Sequence, residues 1–489
     1  MKIKKIAFLL VGLPILLAAQ SCQKYLDTTP DNRAEINSVD KVAQLVATAY
    51  PLYDYYTFTE AASDNAEDKG SGAGTITDVT AAPYFWNDVV GAEQGSPGNY
   101  WNGCYAGIAS ANQALQSIEE NDFGNAVLPY KGEALVARAY AHFMLVTLFA
   151  KEYTIGAAND SPGVPYTTIP ETKVIQPYDR GTVAGVYEKV EKDLTEGIGL
   201  LSASAYSVPK FHFTPAAAHA FAARFYLFKG DWQKVVEHAN AVVPGGDFSN
   251  IVRPITTLFA MPPLEYQSAF TRADQKYNLL LAGQASRFHK TYSARYGLGP
   301  YFKEIFDYNN NFTKKAYTNK NFTIGGEPNY TTGKYYEYAF FVNRAARIGI
   351  TYIMAPLFTT DEALLNRAEA YAQLGEYNNA LNDVNIILAN SIRNYNSSDA
   401  ATVEKLTKYY NTTDPKNAII KLILDIKRAQ FLQEGMRWLD ILRHHLPVKH
   451  NFFDSNGVQT FETLEPGDPR RVFQIPEEAT LSGVPLNPR

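Results

Sequence analysis

The sequence predicts a mostly α protein, a scaffold of tetratricopeptide-like helical hairpins with an irregular, loop-rich and aromatic-rich lobe packed on it. Two matched segments predict the scaffold. Around Gly230, Ala223, Tyr226, Trp232 and Val235 stand at −7, −4, +2 and +5, and around Gly375 the same classes, Ala368, Tyr371, Tyr377 and Ala380, stand at the same offsets. Each segment reads as two amphipathic helices joined at a glycine turn, with small residues where the helices approach and aromatics beside them. The lobe is predicted by 286–341, which holds 16 aromatics in 56 residues, about twice the 13% of the whole chain.

Helix starts are signalled as clearly as the turns. Thr214-Pro215 reads as an N-cap followed by proline in the first helical position, and Thr359 to Glu362 as a capping box. A helical hairpin cannot bury its apolar face alone, so further helix pairs are expected. The periodicity offers 101–121 with 131–150, 181–202 leading into 215–229, and one long apolar helical stretch over 418–443. Helical blocks are thus placed at about 101–243 and 357–445. The intervening 50–100 and 245–356 lack sustained helical periodicity, are rich in Gly, Pro, Asn and Tyr, and are assigned as the ligand-binding lobe.

The first residues read as an export signal. Lys2, Lys4 and Lys5 precede an apolar run from Ile6 to Leu17 that is too short to cross a bilayer. The following Ala18-Ala19-Gln20-Ser21-Cys22 resembles a lipobox, so residues 1–21 are expected to be removed and Cys22 to be lipidated. That removal takes away three Lys and no acid, leaving 42 Lys+Arg against 50 Asp+Glu and a net charge of −8. Such a balance gives no basic footprint for nucleic acid. With Cys22 lipidated, Cys104 is the one remaining thiol, and stability has to come from packing rather than disulfides.

Several motifs, in a fixed order from residue 22 to the end, resemble the SusD/RagB family of Bacteroidetes outer-membrane lipoproteins. They are Cys22-Gln-Lys-Tyr-Leu-Asp-Thr-Thr-Pro30, Tyr100-Trp101 through Asn112, Gly132-Glu-Ala-Leu-Val-Ala-Arg138-Ala-Tyr140, Arg367-Ala-Glu-Ala370, Glu434-Gly-Met-Arg437-Trp-Leu-Asp440-Ile-Leu-Arg443, and Gln474-Ile-Pro476 with Leu486-Asn-Pro488. Two departures stand out: Gln430, where the family often has Glu, and the absence over 355–364 of the Arg usual before Arg-Ala-Glu-Ala. The resemblance implies a lipid-anchored protein of the outer membrane facing the cell exterior. It also implies a capture lid over a SusC-like TonB-dependent transporter, taking oligosaccharide or, alternatively, peptide.

Most charged motifs read as structural. Arg437, Asp440 and Arg443 fall at i, i+3 and i+6, the spacing for a carboxylate bridged by two guanidinium groups. Asn112 and Arg138 read as core polar groups. No metal site is expected, because His444, His445 and His450 lack companion ligands and the acidic run Asp64, Asn65, Glu67, Asp68 lacks EF-hand spacing. No cofactor is expected. The chain lacks G-x-S-x-G, H-E-x-x-H and P-loop motifs, which favours binding over catalysis, a surface glycoside hydrolase being the rival. For a sugar site the useful groups are ring faces with polar partners. Trp101, Trp232 and Trp438 belong to helix packing, which leaves Trp86 as a platform, with Tyr292, Tyr296, Tyr301 and Arg287, and Asp64 and Asn65 as polar partners.

Overall fold

The hairpin turns are set at the two glycines. In the computed structural model, which describes residues 36–171, 173 and 175–489, Gly230 (φ +79°) and Gly375 (φ +82°) both adopt the left-handed conformation that costs glycine least. The helices they join are α4, Pro215–Lys229, with α5, Trp232–Val242, and α6, Thr360–Gln373, with α7, Tyr377–Ser391. Ahead of them lie α1, Pro97–Glu120, α2, Leu128–Phe149, and α3, Val183–Ile198. Behind them come α8, Pro415–Gln430, and α9, Met436–Arg443. Neighbours along this series pack on one another, α1 on α2, α2 on α3, α5 on α6 and α6 on α8, all within one compact unit, Ser38–Arg489. Cys22 and the signal segment lie outside the described residues.

The caps follow the expected chemistry. Thr214 and Thr359 accept from the backbone N–H of Ala217 and Glu362. The capping box at Thr359 is not reciprocal, because the Glu362 carboxylate turns instead to the buried guanidinium of Arg224. From Gly132 to Phe149 every residue of α2 is buried, Glu133, Arg138 and His142 included, so this helix runs through the core. It crosses α3 at a glycine pair: a Cβ on Gly132 would stand 2.7 Å from the carbonyl oxygen of Gly197. Arg138 forms a fork with Asp193 (2.7 and 2.9 Å) and donates to Asn112, so both are core polar groups as expected.

Two expectations change. The stretch 418–443 is not one helix: the chain breaks after Gln430, and Gly435 takes φ +71° to start α9. Within 245–356 a three-stranded antiparallel sheet forms from β1, Asn278–Ala285, β2, Glu337–Asn343, and β3, Ile348–Thr359, in the order β1-β3-β2. Its strands escape the sequence pattern because β1 and the second half of β3 are buried on both faces, which removes the polar alternation of a half-exposed strand. A further hairpin, β4, Val448–Phe453, with β5, Gln459–Leu464, follows α9.

Buried charge ties the break to its neighbours. Arg253, fully buried, forms a fork with Glu434 at 2.8 and 2.9 Å, and its backbone N–H donates to Asp361 at the start of α6. Lys334 donates to Glu434 and to the carbonyls of Gln430 and Leu432. Both family departures have a reason here. Gln430 donates its amide to Asp361 while accepting from Ser391, a place where a second carboxylate would face the first. The Arg absent before α6 is replaced by Arg224 and Arg253, which reach its first turn from other segments. Asp440 is bridged by Arg443 and Lys427 rather than by Arg437, which turns to Asp64, and Arg443 also grips Glu369.

Arg253→Met is expected to lower the unfolding free energy by about 3–5 kcal/mol in chemical denaturation, because Glu434 is left buried with one cation. A loss under 1 kcal/mol would mean that the fork contributes little. Glu60, in the short helix Tyr56–Ala62, accepts from the N–H of Gly435, and burial pushes its carboxyl up to about 7. Its folded value exceeds its unfolded one, so its contribution is complete at low pH and is lost as pH rises from roughly 4.5 to 7, on the order of 3 kcal/mol. Glu60→Gln should flatten that slope in unfolding free energy measured against pH.

Candidate functional site

The expected platform is buried. Trp86, Tyr84, Tyr296 and His450 form one pile of rings, Trp86 to His450 at 4.6 Å, His450 to Tyr84 at 4.1 Å and Tyr84 to Tyr296 at 4.7 Å. Trp86 is only 4% exposed, and its indole N–H donates to the carbonyl of Ala62. The expectation of an exposed Trp86 ring is therefore corrected, and Tyr296, buried with its face on Tyr84, is corrected with it. Both ring nitrogens of His450 lie 2.8 Å from carbonyl oxygens, those of Tyr84 and Ser63, so the ring pins two segments of the lobe to β4.

The acidic run is likewise engaged by the fold. Asp64 forms a fork with Arg437 at 2.8 Å; burial pushes its carboxyl up, but Arg428 and Arg437 outweigh burial and hold it at about 2. Asn65, buried, donates to Glu60 and accepts from Arg428. Neither is a free polar partner for a ligand, because each already has an internal one. Asp68 is gripped by Arg295 at 2.7 and 2.8 Å and accepts from the backbone of Phe453. Among the described residues no group of three His, Cys, Asp or Glu is placed to hold a metal ion.

Three of the expected residues do come together. Asn65, Tyr292 and Tyr296 line one cavity with Glu60, Phe288 and Gln433, but its volume of about 20 Å³ suits a single water rather than a sugar ring. Tyr292 is half-buried, edge-on to Phe288. Arg287 is half-buried, its side chain 3.4 Å from the more exposed Glu93, a bridge of little energetic weight.

Tyr301 is the expected ring that reaches solvent, at 47% exposure. Its backbone N–H donates to Glu67 at 2.6 Å and its hydroxyl accepts from the amide of Gln459 at 2.7 Å, which fixes the ring on the outer side of β5. Burial pushes the Glu67 carboxyl up to about 7. Gln459 and Phe461 alternate along β5 and so project to one side, with Phe461 exposed and the Lys449 ammonium 4.4 Å from its ring centre. Sequence reading missed Gln459 and Phe461, although Asn456-Gly457 between two apolar runs is a hairpin signal that could have found them.

A larger cleft, of about 360 Å³, lies beside α1 and is lined by Trp101, Tyr105 and Tyr178 with Asn112, Glu171 and Ser482. Its polar groups are already paired: Tyr105 donates to the carbonyl of Pro165, Tyr178 to Glu171, and Asn112 to the carbonyl of Thr167. A sugar entering it would find acceptors but no spare donor on those three side chains. At the Tyr301 surface the hydroxyl and the Gln459 amide are likewise paired with each other, and the half-exposed ring is what stays open.

Comparison with known proteins places this geometry. A family model described as starch-binding and associating with the outer membrane matches residues 24–227, and the SusD family model matches 254–479. A SusD-like protein, P2, of Formosa agariphila is 29% identical over 160 residues, which span 32% of this chain and only 29% of that protein. A SusD superfamily protein of Bacteroides thetaiotaomicron has a similar fold, with TM-score 0.65 and 20% identity over 92% of this chain and all of that one. A laminarin-binding SusD-like protein is similar at TM-score 0.61 and 17% identity, over 92% of this chain and 99% of that one. With the two family models together spanning most of its length and the same helical scaffold beneath them, the chain belongs to the SusD/RagB family.

Proposed function

We propose that this protein is a cell-surface lipoprotein that captures oligosaccharides, without cleaving them, and passes them to a SusC-like TonB-dependent transporter in the outer membrane. The observation that carries the reading is the match of residues 24–227 to a family described as starch-binding and associating with the outer membrane. The laminarin-binding relative of similar fold supports a glycan as the ligand. Attachment is assigned to a lipid on Cys22 on the strength of the lipobox-like Ala18-Ala19-Gln20-Ser21-Cys22. Glu67 and Asp68 are neighbours in a strand pairing and project to opposite sides, one tied to the Tyr301 backbone and the other to Arg295, an arrangement that supports binding rather than a catalytic carboxylate pair.

The Tyr301 surface is the assigned contact, a half-exposed ring for the C–H side of a sugar, with the Gln459 side-chain oxygen beside it to accept from a hydroxyl and Lys449, at the Phe461 ring further along the hairpin, to donate to one. Calorimetry of the chain expressed from residue 23, titrated with a panel of glycans and peptides, tests this. Heat with a glycan and about tenfold weaker binding in Tyr301→Ala are expected; heat with peptides alone, or sugar products appearing during the titration, would overturn it. Cys22→Ala should move the protein from the membrane to the soluble fraction, and fatty acid still incorporated in that variant would show that the anchor lies elsewhere.

A further inference from the structure

From Tyr338 to Ile350 every residue is exposed, along both strands of the hairpin made by β2 and β3, whereas from Ile353 onward β3 is largely buried. The distal hairpin thus stands clear of the body of the protein. It is also strongly apolar. Phe340 is 63%, Val342 73% and Ile348 62% exposed, with Tyr338, Phe341 and Ile350 nearly half so. Over both faces of the hairpin their accessible surface adds to roughly 600 Å², comparable with the largest apolar patches of monomers.

The shaft is built to keep its shape. Tyr338 faces Tyr352 and Phe340 faces Ile350 across the strands, while Phe341 sits opposite Gly349, where a Cβ would run into the carbonyl oxygen of Phe340. At the tip the backbone N–H of Ala346 donates to the Asn343 side chain and that of Arg347 to the carbonyl of Arg344. The guanidinium groups of Arg344 and Arg347 have no hydrogen-bond or ion-pair partner among the described residues, so an apolar shaft ends in two unpaired cations.

That order of chemistry selects the occupant. A glycan would lose water from its hydroxyls against Phe340, Val342, Ile348 and Ile350, which offer no hydrogen bond in return. A bilayer would receive the two arginines first and carry them into hydrocarbon, where charge is costly. A second copy pairing edge to edge along β2 would extend the sheet and leave its faces, to which the apolar side chains project, open to water. A protein recess with apolar walls and carboxylates on its floor satisfies both parts of the hairpin. Burying roughly 600 Å² of shaft together with a similar area of wall reaches the lower end of stable specific interfaces.

We infer that the hairpin of β2 and β3 is a docking peg for such a recess in a partner protein. The identification of that partner with the transporter rests on the function proposed above; the peg itself does not. The test uses the full lipidated chain in membranes of its source organism. A photoreactive benzoylphenylalanine replacing Val342 is expected to crosslink to the transporter. The pairs Phe340→Asn with Ile350→Asn, and Arg344→Glu with Arg347→Glu, are each expected to reduce the transporter recovered after gentle solubilisation at least tenfold, with the calorimetric glycan signal as in the parent. Recovery at the parental level in both paired variants overturns the inference, as does a crosslink confined to a second copy of the chain or to lipid. If the parent recovers no transporter, while residue 342 crosslinks to another membrane protein and charge reversal abolishes that product, the functional reading falls and the peg stands. If it recovers none and nothing crosslinks, both fall.

Discussion

Arg253 and Glu434 meet with almost no access to water, and several parts of the fold are arranged around that meeting. Removing both charges from solvent is repaid only by good geometry and further polar neighbours. Lys334, from the lobe, gives Glu434 a second cation, and Asp361, in the first turn of α6, accepts from the Arg253 backbone and stands 4.0 Å from its Nε, which itself makes no hydrogen bond. The interruption between α8 and α9 serves the same end: by stopping at Gln430 and restarting past Gly435, the chain turns Glu434 toward Arg253 while leaving the carbonyls of Gln430 and Leu432 to Lys334. A helix running straight through 418–443 would fill the place where these groups converge.

What could be read from the sequence was local. The turns at Gly230 and Gly375 and the caps at Thr214 and Thr359 depend on residues a few positions apart, and the burial of Asn112 is legible from the apolar periodicity of its own helix. The lobe depends on pairings across hundreds of residues. Trp86 reads as a spare ring only because nothing near it in sequence announces His450, and Asp64 as a spare carboxylate only because Arg437 is remote. The sheet was hidden for a different reason, since strands covered on both faces lose the alternation by which strands are recognised.

The same contrast divides the aromatic residues by task. Rings in the Trp86, His450, Tyr84 and Tyr296 pile fix the order of segments within the lobe, and their contribution is to packing. Tyr301 and Phe461 are held by their backbones and by one polar neighbour each, which leaves a face of each ring to solvent. High aromatic density in 286–341 was thus a poor guide to individual side chains, because density does not distinguish a ring that packs from one that reaches solvent.

The twelve residues of β3 run without a linker from the exposed hairpin into Thr360, the first residue of α6. At about 3.3 Å per residue the strand is a strut of roughly 40 Å. Tension applied at its far end would travel along the backbone and meet the ladder to β1 in shear, many hydrogen bonds bearing at once, rather than unzipping them singly. The load would arrive at the helix whose opening turn is clamped by Arg224 and Arg253. A pull on the hairpin would therefore move the scaffold as a lever moves its mounting, with little slack between them.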